Sequence, residues 1–225
     1  MKMIRRSAFL LVLVLLSTPL LSGQDLSSYR KFSLGASLAA LSKQVGQDPL
    51  RADLIHQRPA LIQQLRYWPI ETSPYSARSE SVSQVVFNFY NGELYKISVT
   101  YDQEATEGLT DDDMVQAISA RYGTAPRLYP DIALPTSTDE YAPAEKIIAR
   151  WEDAGNSVDL FRSSSLNSFG LAIFSKKVDA QADASIAESM KLEKQQAPQK
   201  EIDRQKGEAD KLEAARLKNV KAFRF

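Results

Sequence analysis

The chain contains no cysteine and a single histidine, His56. Without cysteine there are no disulfides, no thiol catalysis, no Cys-ligated metal and no lipidated N-terminal Cys; Gly23-Gln24 stands where a lipoprotein would carry its acceptor. One histidine excludes a multi-histidine metal site, and any His-based triad would have to use His56, whose neighbours Arg58 and Pro59 suggest a structural position in a loop or helix start. No Gly-rich phosphate loop is present. Ser163-Ser164-Ser165 lacks the Gly-x-Ser-x-Gly surroundings of a nucleophile elbow and reads as turn chemistry. Nor is there an apolar run long enough to span a membrane. The longest, Ala8 to Leu16, is about half of what a span needs.

That short run has a specific setting. Lys2, Arg5 and Arg6 precede it, Ser17, Thr18 and Pro19 break it, and Leu21-Ser22-Gly23 supplies small residues near a cut. Residues 1–23 therefore read as a signal peptide, and the mature protein is expected to start near Gln24, periplasmic or secreted. The mature chain carries 25 basic and 28 acidic side chains, which argues against nucleic acid as a partner.

What remains changes character near Asp179. Residues 29–174 hold every Tyr, both Trp and six of the nine Phe, whereas 180–222 hold no aromatic and are dominated by Ala, Gln, Lys and Glu. We expect an α+β domain over 24–178 and a charged helical tail over 179–225. Within the domain, Leu38, Leu41 and Val45 have helical spacing and precede Gly46 and Pro49; Val115, Ile118 and Tyr122 repeat it before Gly123 and Pro126, at a constant offset of 77 residues. Thr110 is a cap for the second helix, with Asp111, Asp112 and Asp113 beside its positive end.

Strand-like residues follow each helix. After the first come Leu61 to Trp68, which also suits a short helix from Pro59, then Val82 to Tyr90 and Glu93 to Asp102 around Asn91-Gly92. To put both apolar rows of that hairpin on one face, a three-residue loop, Tyr90-Asn91-Gly92, would pair Phe87 with Tyr95 and Val85 with Ile97. After the second helix, a Pro- and Ser/Thr-rich loop from Tyr129 to about Ala144 leads to strands over 146–152, 157–162 and 169–175. Two tandem helix-then-three-strand units, about 33–102 and 108–178, can bury their apolar faces as one antiparallel sheet with both helices on one side.

Leu34-Gly35-Ala36-Ser37, followed by Leu38, Leu41, Val45-Gly46 and Pro49, resembles the helix motif of the SmpA/OmlA outer-membrane assembly lipoproteins. Their single helix-and-sheet unit also occurs in tandem in secreted beta-lactamase inhibitor proteins. The resemblance covers roughly residues 33–178; it implies this fold and a style of action, the binding of other proteins outside the cytoplasm. Ala36 stands where the motif often has Met, and neither the lipidated Cys nor the inhibitors' disulfides are present.

No residue pattern marks a catalytic site, a metal site or a cofactor. Asp111-Asp112-Asp113 point in different directions on a helix and are explained by capping. Tyr67, Trp68, Tyr90, Tyr95, Tyr101 and Trp151 lie in or beside strands and are candidate binding residues on the sheet face turned from the helices. In the tail, opposite charges recur three apart, as in Glu201/Arg204 and Glu213/Arg216, Pro198 is expected to interrupt the helix, and Leu212, Leu217 and Val220 sustain no heptad. Its last residues carry Arg216, Lys218, Lys221 and Arg224 without acid beside Phe223 and Phe225, which suits weak contact with a membrane surface or a partner groove.

The expected function is that of an exported, non-enzymatic protein-protein interaction module whose partner is another envelope protein. Two alternatives stay open. A small carboxylate-dependent hydrolase or carbohydrate-active domain needs only two acids brought together, and a membrane-associated scaffold would act through the charged tail.

Overall fold

The computed structural model describes residues 25–69, 81–125, 145–163 and 168–224. The expected leader, the loop expected from Tyr129 to Ala144, and Phe225 lie outside the described residues. A two-stranded hairpin, β1 (Ser28–Tyr29) and β2 (Phe32–Ser33), precedes helix α1 (Leu38–Val45). Strands β3 (Asp53–His56), β4 (Ile62–Tyr67), β5 (Val82–Tyr90) and β6 (Glu93–Tyr101) follow. Helix α2 (Asp111–Tyr122) then leads to β7 (Glu145–Glu152), β8 (Asn156–Ser163) and β9 (Phe169–Ser175), and the chain ends in helix α3 (Lys176–Ala222). The fold is α+β, with a seven-stranded sheet in the order β3-β4-β5-β6-β9-β8-β7. Every neighbouring pair in it is antiparallel.

The two expected helices form where their caps predict. The Ser37 side chain accepts from the Ala40 amide, and Gly46 ends α1 at a φ of 69°, a left-handed turn that costs glycine nothing. Thr110 and Asp113 make a reciprocal capping box at the start of α2, which satisfies backbone donors the helix itself leaves unpaired. Leu61 to Trp68 resolves as strand, from Ile62 to Tyr67.

The β5–β6 register corrects the expected three-residue loop. Tyr90 pairs with Glu93 and Phe89 with Leu94, so the loop is Asn91-Gly92 alone, and both residues have positive φ, 51° and 84°. That is the signature of a type I′ turn, whose twist matches the strands it joins. The extra residue needed to bring both apolar rows to one face is instead Tyr95, bulged out where Asn88 pairs with Lys96. Beyond the bulge Phe87 meets Ile97 and Val85 meets Val99.

One face of the sheet carries the main core. Leu65, Val85, Phe87, Phe89, Ile97 and Val99 continue into Leu171, Ile173, Val158 and Leu160, and Leu41 of α1 with Met114 and Tyr122 of α2 close over them. Each such side chain contributes about 1.5 to 3 kcal/mol of transfer free energy when fully buried. The β1–β2 hairpin caps the same layer. Phe32 meets Phe87 edge-on at 4.9 Å, and the Tyr122 hydroxyl donates to the Ser28 carbonyl oxygen at 2.8 Å.

The opposite face, expected to be open, is partly covered by α3. Ala182 and Ile186 form a second apolar cluster with Ala60, Ile62 and Tyr95, joined by Tyr90 and Val178. Buried Ser189 donates to the Arg58 carbonyl oxygen at 2.5 Å. From Met190 onward no residue of α3 is buried. The helix passes through Pro198 without ending and totals 47 residues, about 70 Å at 1.5 Å per residue. At this exposed site proline removes one backbone bond, and the carbonyl it frees can be met by water.

Candidate interaction surfaces

The strands distribute the aromatic candidates by parity and bulge, and they do not form one exposed patch. Trp151 is only 2% exposed and lies in the main core, where its indole donates to the Gly123 carbonyl oxygen at 2.6 Å and so holds the end of α2. A second bulge, at Ile148, directs Ala149 and Trp151 inward while Arg150 and Glu152 face the α3 side. Tyr101 is also a core residue, and burial pushes its hydroxyl pKa above the usual value. Tyr67 lies on the core face against Phe32, ring centroids 6.4 Å apart. Tyr95 and Tyr90 do face away from α1 and α2, but α3 covers them; the Tyr90 hydroxyl is 3.4 Å from Ser185 Oγ. Trp68 remains open at 54% exposure, and Phe223, 69% exposed, stands at the far end of α3. Phe225 lies outside the described residues.

Beneath the start of α3 runs a polar seam that residue patterns did not reveal. Asp159 of β8 is fully buried, and both its oxygens accept from the Arg150 guanidinium at 2.7 Å, with Ser157 Oγ donating a third bond at 3.1 Å. Those bonds hold Arg150 above its usual pKa. Asp179, on the first turn of α3, is raised above the ordinary carboxylate range by burial, which outweighs the opposing pull of Lys96. The same burial, reinforced by Asp179 and Asp183, raises Tyr95. Lys96 joins this seam to α3 by bonding Asp179 at 3.3 Å.

Two shallow cavities of about 270 Å³ open on the body. One is lined by Gln47, Arg51, Asp53, Arg66 and Trp68, and its carboxylate is paired with Arg66 at 2.7 Å. The other lies beside Glu104, Glu107 and Arg162, the last bonded to Asp111 at 2.7 Å and stacked 4.1 Å over the Phe169 ring. Among the described residues, no group of three His, Asp or Glu side chains is placed to hold a metal ion. His56 bonds Glu193 at 3.1 Å and tethers the last docked turn of α3 to β3.

The distal part of α3 is the largest feature given over to solvent. Expected pairs form there, Arg204 with Glu201 at 2.7 Å and Arg216 with Glu213 at 2.8 Å, and Arg204 also reaches Glu208 at 2.6 Å. Ile202, Leu212, Leu217, Val220 and Phe223 stay exposed. No helix among the described residues is long and apolar enough to cross a membrane. Comparison with family models, with curated proteins and with solved structures finds no match.

Proposed function

We propose that the protein is an exported, non-enzymatic interaction module of the cell envelope, in which the sheet domain is the body and the distal half of α3 is the contact arm for another envelope protein. The observation that carries this reading is the arm itself. Beyond Glu193 no residue of the helix is buried, yet it continues for about 43 Å to Ala222 with intrahelical ion pairs, and Ile202, Leu212, Leu217, Val220 and Phe223 stand exposed. A helix that packs on nothing of its own gains stability from a partner.

The body is read as two tandem units of the kind that the SmpA/OmlA lipoproteins and the beta-lactamase inhibitor proteins are built from. What supports this is order and adjacency: α1 precedes β4 to β6, α2 precedes β7 to β9, and β6 pairs β9 at the centre of the sheet. Both helices pack on the same face.

Membrane contact at the arm's tip is the second reading. It rests on Leu217, Val220 and Phe223, three residues apart and exposed, beside Arg216, Lys218, Lys221 and Arg224 with no acid among them. That arrangement suits an anionic lipid surface.

Photo-crosslinking in intact cells separates these readings. A photoreactive residue at Ile202 or Leu212 should give a discrete protein adduct, and one at Leu109 on the body should not. Adducts from Leu109 but none from the arm would overturn the proposal, and lipid adducts confined to Val220 would favour the membrane reading.

A further inference from the structure

We infer that the β3 edge of the sheet is a second binding site, one that takes up an extended acidic segment of a partner protein as an added strand. β3 pairs with β4 on one side, and among the described residues no strand pairs with its other side. An unpaired edge presents backbone donors and acceptors in strand spacing, and such edges are ordinarily guarded. This edge keeps two guards, a length of four residues and a bulge at Ile55, but large apolar side chains are exposed around it. Of the large apolar side chains exposed among the described residues before α3, Leu50, Leu54, Ile55 and Trp68 all lie in or beside β3 and the end of β4, and only Leu109 lies elsewhere. Leu50 is 90% exposed. A cluster of this kind at a sheet edge is the composition of a contact surface rather than of a solvated rim.

Charge selects the occupant. The 270 Å³ cavity at this edge is lined by the guanidinia of Arg51 and Arg66 and the indole of Trp68, with Gln47 and Asp53 completing it. Asp53 already neutralises Arg66 at 2.7 Å, and Gln47 Nε2 donates to the Arg66 carbonyl oxygen at 3.3 Å, so those groups are engaged with one another. Arg51 has no ion-pair partner among the described residues. The uncompensated charge is therefore positive, beside a flat apolar ring, in a space that holds one large side chain. A segment lying along β3 would supply main-chain bonds to the edge, apolar contacts to Leu54 and Ile55, and a carboxylate to Arg51. The bulge at Ile55, where Leu54 pairs with Gln63 but His56 with Ile62, limits the added strand to the start of β3, next to the cavity.

This site is distinct from the arm and does not depend on it. Trp68 reports on it directly, because Trp151 is buried in the core. The test is titration of the mature chain with a peptide of alternating Glu and Val, with its Lys/Val counterpart, and with an N-methylated Glu/Val peptide that cannot donate backbone bonds. The Glu/Val peptide should shift Trp68 emission and add protection from hydrogen exchange at the start of β3, before the bulge at Ile55. The Lys/Val and N-methylated peptides should bind at least about tenfold more weakly, and Arg51→Glu should weaken the Glu/Val peptide by a similar factor. A chain ending at Glu193 should bind as the mature chain does, so failure here leaves the arm reading standing. Equal binding of all three peptides, indifference to Arg51→Glu, absence of protection in β3, or no emission shift at millimolar peptide would each overturn the assignment.

Discussion

Lys96 Nζ lies 3.3 Å from Asp179 Oδ1, which ties the middle strand of the sheet to the first turn of α3. Burial raises Asp179 above its ordinary value, Lys96 opposes that, and Asp183 with Asp159 reinforces it. The folded chain thus holds this proton more readily than the unfolded one. The ionised carboxylate costs stability above its raised pKa, and the cost is relieved as pH falls from neutral through that value towards ~3.9. We expect the parent to gain stability on mild acidification relative to Asp179→Asn, which lacks the titrating group. Urea midpoints of both proteins at several pH values check this; an identical pH dependence would contradict it. Below about pH 4 the parent and Asp179→Asn should lose stability together, because Asp25, Asp113 and Asp153, present in both, are held below the ordinary value by hydrogen bonds from Ser27, from Thr110 and from the Asn156 amide.

Gly92 should be sensitive to substitution for a backbone reason alone. Its φ is 84° and a Cβ there would meet nothing within 4 Å, so Gly92→Val should cost roughly 1 to 3 kcal/mol through conformation, not crowding. Gly207, in the exposed arm, also has open space around it, and Gly207→Val should shift the urea midpoint of the fold far less.

Gly170 is sensitive for the opposite reason. The Phe161 ring lies directly against it on the α3 side of the sheet, and an added Cβ would overlap ring atoms. Gly170→Ala should cost about 1 to 3 kcal/mol, the usual penalty of overpacking. Phe161→Leu should relieve part of that cost, and a double-mutant cycle over the two positions measures the coupling. Additive single-site effects would show that the ring yields freely.

Much of this architecture was legible in the sequence, and the exceptions have physical causes. Gly46 at the end of the first helix and Thr110, with Asp111, Asp112 and Asp113, at the start of the second announced both short helices because caps act locally. The parity of Val85, Phe87 and Phe89 against Ile97 and Val99 required one extra residue in the hairpin, but local chemistry did not say where it would go. A bulge at Tyr95 and a longer loop satisfy the same parity, and Asn91-Gly92 favoured the tight turn. The docking of α3 escaped because it uses Ala182, Ile186 and Ser189, too few and too small to make a periodic stripe. Trp151 reads as an interface residue by type, and only the bulge at Ile148 directs it into the core. Strands β1 to β3 are two to four residues long, too short to alternate visibly, and exist through tertiary pairing.

Because α3 is docked only in its first part, truncations should behave differently according to where they end. A chain ending at Glu193 keeps Ala182, Ile186, Ser189 and the His56 contact, and its thermal midpoint should stay within a few degrees of the parent. One ending at Ser175 exposes Ile62 and Tyr95 and removes the partner of Lys96. It should melt clearly lower, and equal midpoints for the two truncations would show that α3 contributes nothing to the body.

On the proposed function, the arm beyond Glu193 makes the functional contact while the body folds without it. Crosslinked complexes recovered from cells that express either the mature chain or the chain ending at Glu193, at matched levels, test it most directly. The mature chain should yield a discrete envelope-protein adduct, and the shortened chain should be folded, exported and free of it. A shortened chain that still forms the adduct at parental yield would contradict the claim and move the contact to the body.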